Sequence, residues 1–102
     1  MVHDESMVPT LRPGDRLLVD SRAYRGRLPR VGDIVVLTDP EAPRRWLVKR
    51  VADVDADGRT IDVRGDAPAA ARDSRGFGRV PTGSVVGRVY RIYFPSGRRR
   101  DL

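Results

Sequence analysis

A serine hydroxyl is a weak nucleophile until a neighbouring base takes its proton. Ser6 stands ahead of the Pro-punctuated segment Met7-Val8-Pro9-Thr10-Leu11 and the turn Pro13-Gly14-Asp15. Such a segment favours an exposed, sharply turned backbone. Two side chains qualify as the base, because the chain holds one histidine, His3, and one lysine, Lys49, among twenty basic residues. His3 is three residues from Ser6 on extended chain, where it points to the opposite face, and it lies at a chain end prone to fraying. Lys49 lies inside Trp46-Leu47-Val48-Lys49-Arg50-Val51, and strand alternation puts it on one face with Leu47 and Val51. An amine among aliphatic groups loses the hydration of its charged form, so its pKa falls. Arginine cannot act this way, since it keeps its proton at any accessible pH. A Ser–Lys pair follows the same logic as Ser–His. Spacing alone leaves open whether Ser6 and Lys49 meet, and drift also accounts for one lysine among arginines. A third cluster, Gly65-Asp66 with Asp73-Ser74-Arg75-Gly76-Phe77-Gly78, reads as a rigid charged loop.

The elements that must position these groups are short strands separated by turns. Arg16 to Asp20, Asp33 to Thr38, Trp46 to Val54, Thr60 to Arg64 and Val85 to Phe94 read as five strands, with a hairpin turn at Asp57-Gly58. Arg22 to Arg30 is a polar, Arg-rich loop, and Gly65 to Arg79 a long one. With ten glycines, eight prolines and no amphipathic helical period, the expected fold is all-β. It is a small barrel or folded antiparallel sheet, formed as a single domain over residues 1–102. The absence of cysteine excludes disulfides, thiolate zinc sites and a cysteine nucleophile, and a single histidine argues against a histidine metal cluster. No cofactor or metal is expected. No apolar run approaches the roughly 20 residues of a spanning helix, and the N-terminal run is no signal peptide. As written, the chain reads as soluble and cytoplasmic. The formal charge of +6 is spread along the chain apart from Arg98, Arg99 and Arg100, and there are only six aromatics. Neither feature makes a nucleic-acid footprint, so none is expected as a partner.

The three islands resemble the ordered sequence boxes of the type I signal peptidases, the leader-peptidase family of Ser–Lys proteases. Ser6-Met7-x-Pro9-Thr10-Leu11-x-x-Gly14-Asp15 is similar to the nucleophile box, Gly32-Asp33-Ile34-Val35-Val36 to the strand box that follows, and Lys49-Arg50-Val51 to the general-base box. Gly65-Asp66, Asp73-Ser74-Arg75-x-Phe77-Gly78-x-Val80-Pro81 and Val86-Gly87-Arg88 resemble the last box and the strand after it. The likeness covers roughly residues 4 to 94, in order. It implies a signal-peptidase-type sheet and a serine endopeptidase that removes the leader or propeptide of a precursor protein. Ser6 is then the nucleophile and Lys49 the base, with the Ser6 N–H giving part of the oxyanion hole and Met7 beside it. Asp73 with Arg75, and Asp66 with Arg50, are expected as ion pairs that support the site without doing chemistry.

Four departures stand beside the likeness. Only five residues precede Ser6, and there is no membrane anchor, so membrane association would need an anchor upstream of Met1. Asp4 occupies the position two before the nucleophile, where an ionised carboxylate cannot donate to an oxyanion. Ala71 replaces a serine that orients the lysine in many members, and Ala67 a common asparagine. The alternative is a catalytically weakened module that captures extended peptides by strand addition. Size and arginine content are similar to the branch that trims the leader of nickel-containing superoxide dismutase, although no residue identifies that substrate. The polar run His3-Asp4-Glu5 has no apolar alternation. Residues 1 to 5 are therefore expected to be poorly paired and Ser6 partly exposed.

Overall fold

The computed structural model describes residues 2, 6–67, 72–93 and 99–101. Its strands are β1 (Arg16–Asp20), β2 (Ile34–Asp39), β3 (Ala42–Val54), β4 (Thr60–Arg64), β5 (Val80–Pro81), β6 (Val85–Tyr93) and β7 (Arg99–Asp101). They form one sheet in the order β1-β6-β2-β3-β4-β5, with β7 also on β6, and every pairing is antiparallel. The all-β expectation holds. Its count of five strands and no helix does not, because β5, β7 and the single-turn helix α1 (Ser74–Phe77) were not foreseen. β5 has two residues, one of them Pro81, and α1 has four, so neither carries a period that could be read.

β2 explains how the core is arranged. Its run Ile34-Val35-Val36-Leu37 is buried throughout, as a strand covered on both faces must be. Ile34 and Val36 join Met7, Leu11, Val89 and Ile92 in one cluster. Val35 and Leu37 join Leu47, Val51, Ile61, Val63 and Val80 in the other. Each fully buried aliphatic side chain contributes about 1.5–3 kcal/mol, so the central strand binds the two layers together. β1 comes so close to β6 that a Cβ on Gly87 would lie 2.6 Å from the Asp20 carbonyl oxygen, which only glycine permits.

The N-terminal expectation is overturned where the structure describes it. Val2 N–H donates to the Asp15 carbonyl at 2.8 Å, and Gly14 N–H donates to the Val2 carbonyl at 2.8 Å. Val2 is buried in the first cluster. The turn Pro13-Gly14-Asp15 supplies both partners, a long-range pairing that local alternation cannot reveal. Met1 and His3 to Glu5 lie outside the described residues, and with them Asp4.

Candidate active site

Lys49 lies in the middle of β3, opposite Val35 of β2, flanked by the buried Leu47 and Val51. Its backbone is therefore fixed on both sides by apolar packing. The Nζ donates to Ser6 Oγ at 2.9 Å, across 43 residues of sequence. Both partners are nearly closed to water, Lys49 at 2% and Ser6 at 4% exposure. Ser6 is thus buried, where partial exposure was expected. The reason is its surroundings: Met7 is core, Leu11 N–H donates back to the Met7 carbonyl at 2.9 Å, and Ala67 N–H donates to the Ser6 carbonyl at 2.9 Å.

The 65–67 segment is held to the nucleophile segment by side chains as well. Asp66 accepts from Arg50 Nε and Nη2, each at 2.9 Å, and from Thr10 Oγ1 at 2.7 Å. Arg50 also donates through Nη1 to the Gly32 carbonyl at 2.8 Å. The residue after Lys49 therefore links the β2 entry, the 65–67 segment and, through Asp66, the Thr10 turn. The Arg50 bond, aided by Thr10, holds the Asp66 carboxyl below the usual carboxylate range against the opposing effect of burial.

Asp73 organises the other end of the loop. It caps α1 by accepting from Arg75 N–H at 3.0 Å, binds the Arg75 guanidinium, and accepts from Gly65 N–H at 2.8 Å. Burial pushes its carboxyl up, but these bonds prevail and bring it down to about 2. Ser74 Oγ accepts from Val63 N–H at 2.9 Å, tying α1 to β4.

One cluster escaped the sequence reading. Asp39, buried at the end of β2, accepts from both terminal nitrogens of Arg72, which also reaches Glu41 at 2.8 Å and lies 5.8 Å from the Phe77 ring centroid. The Arg72 bonds bring Asp39 down to about 2. Asp39-Pro40 looks like a plain turn in sequence, and Arg72 sits beside Ala71 with no periodic signal, so only the fold joins them. Ala71 lies outside the described residues.

A mostly antiparallel sheet, with a buried serine and lysine in hydrogen-bond contact, defines a class that comparison with known proteins makes specific. The family profile described as "Signal peptidase, peptidase S26" matches residues 1–67. A "Mitochondrial ATP-independent inner membrane protease subunit 1b" of Arabidopsis thaliana is 39% identical over 82% of this chain and 62% of its own length. A "Mitochondrial inner membrane protease subunit 2" of Schizosaccharomyces pombe is 30% identical over 95% of this chain and 64% of its own. A "Probable signal peptidase I-1" of Synechocystis is 36% identical over 61% of this chain and 34% of its own.

The chain belongs to the signal peptidase family, peptidase S26. It spans less than two thirds of the length of these relatives. Among the described residues, no helix is long and apolar enough to cross a membrane.

Proposed function

We propose that the chain is a serine endopeptidase that removes an N-terminal leader from a precursor protein, with Ser6 as nucleophile and Lys49 as general base. The 2.9 Å contact between Lys49 Nζ and Ser6 Oγ, closed off from water, carries this reading. Burial favours the uncharged amine. The same separation then serves the reverse bond, in which the hydroxyl donates to a neutral amine. Lys49 takes the hydroxyl proton as Oγ attacks the scissile carbonyl carbon. The resulting ammonium returns the proton to the departing amine as the peptide bond breaks. Water, deprotonated by the same amine, then hydrolyses the acyl-enzyme and releases Ser6. Donors aimed at the developing oxyanion stabilise the tetrahedral state, and the Ser6 N–H is proposed as one of them.

Residues ahead of the cut fit the apolar groove of about 670 Å3 lined by Leu17, Val36, Trp46, Val48 and Val86. Val48 alternates with the base and faces the opposite side of β3, and the groove adjoins the nucleophile segment instead, since Leu17, Val48 and Val86 pack against the cluster that contains Met7. Arg50, Asp66, Asp73 and Arg75 hold this arrangement without touching the reacting atoms. The test is incubation with leader-bearing precursors, a nickel-type superoxide dismutase precursor first, with cut sites read by mass spectrometry. Cleavage after small residues that disappears in Ser6→Ala is expected. Turnover that survives Ser6→Ala refutes the mechanism, and peptide binding without any turnover favours a weakened binding module.

A further inference from the structure

We propose a second binding site, for an acidic stretch of the precursor, in the cleft between the β1–β2 connection and β6. This rests on the precursor-processing reading above. The cleft holds about 580 Å3 and is lined by Tyr24, Arg27, Leu28, Arg30, Asp33 and Arg88 among others. Three arginines and one carboxylate line it, and that carboxylate is already engaged. Asp33 Oδ2 accepts from Tyr24 Oη at 2.7 Å and from Arg30 N–H at 3.0 Å. Among the described residues, Arg27, Arg30 and Arg88 make no ion pair, as is true of Arg12, Arg22 and Arg44 elsewhere, whereas Arg50, Arg59, Arg64, Arg72, Arg75 and Arg79 each hold a carboxylate. The Arg27 guanidinium reaches the Ala23 carbonyl at 3.5 Å, a weak contact.

The cleft is built in advance of any ligand. Leu28 lies over Gly58, where an added Cβ would be 2.8 Å from it, and Tyr24 packs against the second core cluster. The loop is therefore pinned at both residues, which lowers the ordering cost of binding. The register aligns Lys49 with Val35 and Val35 with Arg88, two strand spacings, or about 10 Å, across the sheet. Val35, between them, is fully buried in the second core cluster, so a precursor that engages both places must pass around this part of the sheet. Guanidinium forks match carboxylates in geometry and charge. Leu28, 52% exposed, offers an apolar wall beside them. The half-buried Tyr24 is the one aromatic ring among the lining residues, and its hydroxyl is committed to Asp33, so the cleft has no platform for stacking successive bases.

The experiment uses the full chain carrying Ser6→Ala and fluorescence anisotropy of two labelled peptides, one rich in Asp and Glu, the other its Asn and Gln counterpart. The acidic peptide should bind about tenfold more tightly at low salt, and the preference should fade as salt rises. Arg27→Gln, Arg30→Gln and Arg88→Gln should each weaken it about two- to fivefold, and together abolish the preference with the circular dichroism unchanged. Equal affinity for the two peptides overturns the proposal. So does a preference that survives the triple variant, or tight binding of an oligonucleotide or of inorganic phosphate that the acidic peptide fails to displace. A second arm measures turnover by the Ser6 protein. Ser6-dependent cleavage with a KM indifferent to substrate acidity overturns this site and leaves the protease reading intact. Acidic binding that needs the three arginines, without Ser6-dependent cleavage of leader-bearing precursors, supports the site and refutes the protease reading.

Discussion

Lys49 sits where another cation would satisfy the charge but not the proposed chemistry. Lys49→Arg keeps a positive, long side chain and removes the capacity to deprotonate. Leader cleavage should fall by about a thousandfold or more, while the urea midpoint moves far less than a misfolded chain would require. Turnover by Lys49→Arg within tenfold of the parent would refute Lys49 as base. The two side chains proposed to react were legible because of their types: a lone lysine in an apolar strand and a serine before a broken backbone are unusual in an arginine-rich chain. Their contact was not legible, since it is closed by Met7, Leu11 and Ala67, none of which announces a partner in sequence. The burial of Ser6 was missed for the same reason.

At the scale of elements, Arg72 is the least expected support. Arg72→Ala leaves the fully buried Asp39 carboxylate without its guanidinium. Because Arg72 is itself 45% exposed, the loss should be modest, about 1–2 kcal/mol in urea unfolding. Adding Asp39→Asn should restore part of it, and a double variant as unstable as the sum of the two singles would show that the pair is not coupled. Gly87→Ala tests the closeness of β1 and β6, since its methyl would overlap the Asp20 carbonyl. A loss of about 1–3 kcal/mol in thermal unfolding is expected, and an unchanged melting temperature would mean that the two strands can move apart. Element boundaries were legible where turn chemistry marks them. β1 follows Pro13-Gly14-Asp15, and β4 follows Asp57-Gly58, and both lie where they were expected. β3 begins four residues earlier than its alternation suggests, at Ala42, because Pro43 to Trp46 are exposed and carry no inward period. Strands such as β5 are held by a neighbour rather than by their own residues.

For the whole molecule, acid is the informative perturbation. Asp39 and Asp73 both fall from an ordinary 3.8 to about 2 in the folded chain. A carboxyl depressed by folding binds fewer protons in the native state, so its stabilisation is complete above about pH 4 and disappears as pH falls towards 2. With half-exposed arginine partners, each should contribute about 1 kcal/mol. Urea midpoints measured between pH 5 and 2 should therefore drop, and drop less in Asp39→Asn. A flat profile would contradict both shifts.

The register also sets an order of events in time. Arg16 pairs with Tyr93, Thr10 meets Asp66, and Ser6 meets Lys49, so most stabilising contacts join distant parts of the chain. Such a topology has a high contact order, and sheets of this kind close in milliseconds to seconds rather than microseconds. β1 has β6 as its partner in the sheet, so on a ribosome it must wait until Val85–Tyr93 has been made. A protease of the proposed kind, wired in this manner, would be inert while nascent and would acquire its cutting power only once β6 has emerged and closed on β1.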